Sequence, residues 1–156
     1  SNMKLSIKNL KTAEHLSHET LAFSAVLHVD GKKTAFVENE GWGGSNGYHH
    51  IDPEARDRLK EAEEYAKEKT GYDFDGLDVL IGEMISAEDD WKTHRRREKI
   101  RVRFVDDGNL MEWNPRGKVG PMMLVEIKGA PWWKENNKIL NGLGKDEFLE
   151  AMKEVA

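Results

Sequence analysis

The chain reads as an α+β protein: an antiparallel sheet built from two β-meanders, with two helices between them and a C-terminal helical segment. Three observations point there. Asp30-Gly31 and Asp107-Gly108 each lie between short runs of alternating polarity. A two-residue hairpin turn with positive φ at both central positions favours that dipeptide. Between them stands Asp52-Pro53-Glu54, with a capping Asp, a Pro in the first turn and an acid at the positive end of a helix. Strands joined by tight turns pair antiparallel, and helices grouped between two such blocks give α+β.

Taken in order, residues 4–11 alternate, with Leu5, Ile7 and Leu10 on one side. Residues 20–29 set Phe23, Ala25, Leu27 and Val29 on one face with period two, and residues 34–38 return as the partner strand. The run ENEGWGGSNGYHH, 38–50, then carries four glycines, a tryptophan and two adjacent histidines. It reads as a connection from strand to helix. In the first helix Ala55, Leu59, Ala62 and Ala66 recur at helical spacing, Glu54–Arg58 and Glu63–Lys67 stand four apart as supporting pairs, and Gly71 ends it. The narrow, alanine-rich stripe predicts a close approach to its neighbour. A second helix from about 77 into the nineties carries the wider stripe Leu77, Leu80, Ile81, Met84, Ile85 and Trp91, and is expected to be the buried one.

The period then changes. Ile100, Val102 and Phe104 alternate with Arg101 and Arg103, which predicts a strand with one dry and one basic face. Residues 109–113 return after the second hairpin, Asn114-Pro115-Arg116-Gly117 makes a third turn, and 122–128 reads as an apolar strand. Pro131 is expected to open a last helix carrying Trp132, Trp133, Ile139 and Leu140. Asn141-Gly142 breaks it before an amphipathic stretch with Phe148, Leu149, Met152 and Val155. Neither a repeat nor a low-complexity linker interrupts the 156 residues, so a single domain is expected.

Composition narrows the function classes. With 38% hydrophobic and 34% charged residues and a net charge of -5, this is a soluble globular chain with a highly charged surface. No apolar run approaches the roughly 20 residues that span a bilayer, so no membrane partner is expected. Ser1-Asn2 before Met3 reads as a tag remnant, and the lack of an apolar leader after it predicts a cytoplasmic protein. The absence of cysteine excludes disulfides, thiol catalysis and thiolate metal sites. Fourteen acids against five bases fill 52–90, and six bases against one acid fill 93–103. Each block offsets the field of the other.

The candidate sites are weighed against their bland readings. Gly41, Gly43, Gly44 and Gly47 free the backbone for positive φ and for amides turned toward an anion, with a helix amino terminus nearby. Yet neither G-x-x-x-x-G-K-[ST] nor G-x-G-x-x-G is present, no lysine is placed for a phosphate, and Asp52 would repel one. A structural loop with Trp42 folded over its neighbours is the first expectation. A binding role for Gly41, Trp42, Gly43, Gly44, Asn46, Tyr48, His49 and His50 is the second. Adjacent His49 and His50 on extended backbone face opposite sides and do not chelate one metal together. A site would need one of them with Asp52 or Glu54 and with His15, His18 or His28, and nothing matches a zinc spacing, so neither metal nor cofactor is expected. Asp73-Phe74-Asp75-Gly76-Leu77-Asp78 fails as a calcium loop, because its glycine comes fourth instead of sixth.

Arg95, Arg96, Arg97, Arg101 and Arg103 have the charge to meet phosphates, but the chain is acidic and no aromatic interleaves them as a stacking platform requires. Trp132 and Trp133 are neighbours on the expected helix, about 100° apart, so one of them is left at the surface as an interface anchor. No G-x-S-x-G elbow places a serine nucleophile.

The stretch SHETLAFSAVLHVDGKKTAFVENEGWGG, 17–44, resembles small proteins carried by bacteriophages and other mobile elements, through its strand-DGKK-strand hairpin and its Asn39-x-Gly41-x-Gly43-Gly44 loop. The resemblance covers only the first part of the chain and implies a setting without an activity: an accessory protein that binds a host or phage component. Three functions follow in order. The first is contact with another protein, a homodimer included, through 42–48 and one of Trp132 and Trp133. The second is a small enzyme or ligand-binding domain that holds an anionic small molecule at the 41–47 loop, with His49 or His50 carrying a proton. The third is nucleic-acid binding through Arg95, Arg96, Arg97, Arg101 and Arg103.

Overall fold

The computed structural model describes residues 2–156, apart from the side chain of His15. Ser1, half of the expected tag remnant, lies outside the described residues, as does the His15 side chain that was weighed as a metal ligand. The chain forms two compact units, one running to Ser86 and the other starting at Ala87. Among the described residues no helix is long and apolar enough to cross a membrane.

The first unit opens with four antiparallel strands in sequential order: β1 (Leu5–Thr12), β2 (Phe23–Val29), β3 (Lys32–Asn39) and β4 (Gly47–His50). The β2–β3 turn takes the expected positive φ, 50° at Asp30 and 80° at Gly31. The period-two set Phe23, Ala25, Leu27 and Val29 is buried beside Ala35 and Val37. It packs on Leu59, Ala62 and Ala66 of α1 (Pro53–Thr70) and on Leu77, Leu80, Ile81 and Ile85 of α2 (Gly76–Arg97).

The α1 caps are as expected. Asp52 Oδ1 accepts from the Ala55 amide at 2.8 Å, and Gly71 closes the helix with φ 78°. Its stripe of Ala55, Leu59, Ala62 and Ala66 is buried. The ion pairs expected at Glu54–Arg58 and Glu63–Lys67 are not formed among the described residues. Arg58 turns to β3 instead, donating to the Lys33 carbonyl at 3.0 Å and to Thr34 Oγ1 at 3.4 Å. Thr34 is the extra residue of a bulge between Leu27 and His28 and is fully buried, so its hydroxyl needs partners.

The glycine-rich run does not lead directly into a helix. It turns back on itself, and Gly47–His50 pairs with 35–38 of β3 as a fourth strand before Asp52 caps α1. Tyr48, opposite Val37, packs against the core and anchors that strand.

In the second unit β5 (Val102–Asp106), β6 (Asn109–Trp113) and β7 (Lys138–Ile139) form an antiparallel sheet in the order β6-β5-β7. Asp107 and Gly108 turn β5 into β6 with φ of 48° and 78°. Residues 87–97 of α2, α3 (Pro121–Ile127) and α4 (Lys145–Met152) complete the unit. The central strand separates two apolar clusters. Val102 and Phe104 pack with Ile127, Trp133 and Ile139, whereas Val105 packs with Trp91, Leu140, Phe148 and Ala151.

Three expectations for this half are corrected. First, β5 has no basic solvent face: Val102, Arg103, Phe104 and Val105 are all buried, because a central strand covered on both sides loses the polar alternation. Ile100 and Arg101 precede the strand. Second, 122–128 is not a strand. Gly120 caps a short helix with Pro121 in its first turn, and Met123, Leu124 and Ile127 face inward at helical spacing. A short apolar run fits either period, and the proline decides it. Third, Pro131 opens turns instead of a helix. Lys134 reaches Asp106 at 3.1 Å and Asn136 reaches Asp107 at 2.9 Å, tying the segment to the β5–β6 turn before β7 pairs with Phe104 and Val105. The amphipathic end is helical as expected, with Phe148 buried.

Leu27, with no exposed surface, and Phe36, half exposed on the opposite face, make a controlled pair. Leu27→Ala is expected to lower unfolding free energy by about 2–5 kcal/mol and Phe36→Ala by less than about 0.5 kcal/mol, read by denaturant titration. Equal losses would contradict the burial assignment.

Candidate functional site

The loop that leaves β3 is organised by one side chain. Asn39 Oδ1 accepts from the Gly41 amide and from Thr20 Oγ1, each at 2.8 Å. Its Nδ2 donates to the Gly44 carbonyl at 3.0 Å and to Asn46 Oδ1 at 3.1 Å. An amide has two lone pairs and two N–H groups, so every capacity of Asn39 is used. Gly41 is required at its position: φ is 89°, and a Cβ there would sit 2.6 Å from the Leu16 carbonyl oxygen. Its own carbonyl accepts from the amides of His18 and Glu19 at 2.9 and 3.0 Å, which gathers the 18–20 segment against the loop. The far end is pinned to α2, where Asp78 accepts from the Asn46 amide at 3.1 Å and from the Tyr48 hydroxyl at 2.5 Å. Burial first, and then the bond to Asp78, push the Tyr48 phenol well above its ordinary range, so it stays a donor.

Trp42 stands out from this frame. It is 66% exposed and lies flat on the His18 imidazole, with ring centroids 4.1 Å apart and planes 15° apart. Beside it is a cavity of about 480 Å³ whose lining includes Leu16, Ala22 and Phe23, with Lys11, Glu38 and Glu40 as its charged members. That volume is within the range of sites that take a small molecule or an anchoring side chain.

The other loop candidates divide. The amides of Gly41, Gly43 and Asn46 are already donated to Asn39, Thr20 and Asp78, so these three have no N–H left for an anion. Gly43 lies against the Glu19 carboxylate and Gly47 against that of Glu38. Gly44 borders open space. His49, opposite Phe36, is 3.5 Å from Glu38, and His50, opposite Ala35, faces the other way. Among the described residues no three His, Asp or Glu side chains converge as a metal site requires.

Of the five arginines, Arg97 and Arg103 are brought together, on one carboxylate. Arg95 and Arg96 are exposed on the last turn of α2, with Arg95 over the Trp91 ring at 5.5 Å. Arg97 binds Glu112 through two bonds of 2.6 Å, and Arg103, only 4% exposed, meets the same carboxylate at 2.9 Å. Arg101 bonds the Ile100 carbonyl. Buried His94 completes this cluster. Its Nδ1 lies 2.8 Å from Arg103 Nη1, and a guanidinium only donates, so Nδ1 carries no proton. Nε2–H then donates to the Leu140 carbonyl at 3.1 Å, with Glu98 at 3.6 Å. Burial, opposed by Glu98 and assisted by Arg103, holds the His94 pKa below its usual value.

Of the tryptophan pair, Trp132 is 46% exposed and Trp133 packs on Phe104 at 5.1 Å, both in turns instead of on a helix. Sequence reasoning missed the bracing roles of Asn39 and Thr20 and the stack of His18 on Trp42. The available signal was Asn39 two residues before a glycine, the spacing at which an Asn side chain bonds the backbone ahead of it. Comparison with known protein families, with curated proteins and with solved structures finds no match to this chain.

Two outcomes follow. Asn39→Ala is expected to lower unfolding free energy by about 1–3 kcal/mol and to speed hydrogen exchange at the Gly41 amide, and unchanged exchange would contradict the bracing role. The depressed His94 pKa means that the unfolded chain binds a proton near pH 6.5 that the folded chain refuses. Stability is therefore full above that pH and falls as pH drops toward the folded value, by at most about 1.4 kcal/mol per pH unit. Calorimetry should show this slope between pH 7 and 5.5 flattened in His94→Gln, and an equal slope in both proteins would assign it elsewhere.

Proposed function

We propose that this protein acts by contact, binding another protein through Trp42 and the apolar cavity beside it. One observation carries the proposal: exposed Trp42 stacks on His18, next to a cavity lined by Leu16, Ala22 and Phe23. An exposed tryptophan that has already lost its freedom is a low-cost anchor, because association then forfeits little side-chain entropy. Glu19, Glu38 and Glu40 near the loop outnumber Lys11, so a partner that presents an apolar residue flanked by basic ones is the chemistry that fits. An accessory protein of a bacteriophage or mobile element, the setting that the resemblance of 17–44 implies, would act in this way.

A photo-crosslinking residue at position 40, which lines the same cavity and leaves Trp42 in place, is introduced in the expression host and is expected to yield a discrete protein adduct that the same residue at exposed Glu61 on α1 does not. Trp42→Ala should weaken the recovered complex at least tenfold, about 1.4 kcal/mol, and leave stability unchanged. Native mass spectrometry is the counter-test. Added small-molecule mass that denaturation releases, with no adduct at position 40, would replace a protein partner with a ligand in the cavity.

A further inference from the structure

We propose that the outer edge of β6 is a second, separate docking site, which takes an extended segment of a partner polypeptide, with apolar residues at alternate positions, as an added strand. The hydrogen-bond register is the first ground. The two-residue turn at Asp107-Gly108 makes Asp106 and Asn109 a hydrogen-bonded pair, so in the alternation along β5 and β6 the pairs Val105–Leu110 and Arg103–Glu112 are not bonded to one another. Arg103 bears this out from the other side. Its amide donates to Asn141 Oδ1 at 2.7 Å and its carbonyl accepts from the Leu140 amide at 2.8 Å, both away from β6. The amides and carbonyls of Leu110 and Glu112 therefore point outward from an edge that has no neighbouring strand among the described residues.

The second ground is that, among the described residues, this edge alone is unguarded. Sheet edges are kept from pairing by lysines, bulges or shortness. β1 carries Lys8 and Lys11 around an irregularity at Asn9, where φ is 55°. β4 has four residues and ends in two histidines, and β7 has two residues. β6 has five residues with no lysine, proline or bulge. Its one charged group, Glu112, is paired with Arg97 and Arg103 and so is not free to repel an added strand.

The third ground is the side-chain row. Met111 and Trp113 share the face of Phe104 and Val102 and are 41% and 39% exposed, and Trp132 extends the apolar surface 6.4 Å from Trp113. An added strand would lay apolar residues at alternate positions on that row, while its backbone met Leu110 and Glu112. With Glu112 already paired, the edge offers its backbone and this apolar row, which select an extended segment with apolar residues at alternate positions. A five-residue strand also offers far less than the ~800 Å² per partner of a stable interface, which argues for a peptide segment over a second copy of this chain.

The test uses the full chain labelled with ¹⁵N. The probe is a short capped peptide alternating valine and threonine, compared with the same peptide N-methylated at alternate residues. The plain peptide is expected to shift and protect the amides of Leu110 and Glu112, and the methylated one to bind at least tenfold more weakly. Met111→Lys, a charge placed on the row, should weaken binding by a similar factor. Equal binding of both peptides, shifts confined to other residues, or no binding would overturn the proposal. So would protection of Leu110 and Glu112 that rises with protein concentration alone, which would make the occupant a second copy.

Discussion

The four hydrogen bonds of the Asn39 side chain are the constraint on which the first unit's candidate site depends. β3 ends at Asn39, and the chain must reverse within a few residues to add β4. Glycines at 41 and 43 supply the positive φ values, but two glycines alone would leave the reversal loose. Asn39 bridges both sides of the loop and Thr20 together. Gly41 then draws the backbone of 18–20 close, and this places the His18 ring beneath Trp42. Removal of that amide would release the loop, the 18–20 segment and the tryptophan together.

The second unit solves a different problem. Its three-stranded sheet is covered on both faces, so β5 must bury an arginine at a position where its neighbours are apolar. Desolvating a charge is tolerable only when partners are supplied. Glu112 and His94 supply them, and His94 must be neutral with its proton on Nε2 to do so. Stacking of His94 on Phe148 at 4.2 Å builds the cluster into the core around α4. Arg97 satisfies the remaining demand of Glu112 from the surface.

Local chemistry made much of the fold legible. Asp-Gly dipeptides, the Asp52-Pro53 start, the Gly71 stop and the apolar stripes of α1 and α2 each depend on a few adjacent residues, and each appears as read. What was not legible depends on distant partners. β4 is four residues with a single apolar member, recognisable only once Asp78 holds Tyr48. The turns after Pro131 are set by Asp106 and Asp107, more than twenty residues away in sequence. Arg103 looked solvent-facing because alternation is the sign of a half-exposed strand, and nothing local announced that β5 would be central. At the site, the glycines and Trp42 were singled out, whereas Asn39 was named only within the loop motif, His18 only as a metal ligand, and Thr20 not at all. Their roles arise from the fold bringing 18–20 against 39–46.

The central claim is that Trp42 is at once exposed and immobile. ¹⁹F NMR of protein labelled with 5-fluorotryptophan, with the Trp42 signal assigned by Trp42→Phe, tests it directly. The account predicts a resonance that responds to solvent isotope as an exposed ring does, while relaxing as slowly tumbling, ordered backbone does. A narrow, motionally averaged Trp42 line in the unmodified chain would contradict it, for the ring would then be a free side chain instead of a prepared contact.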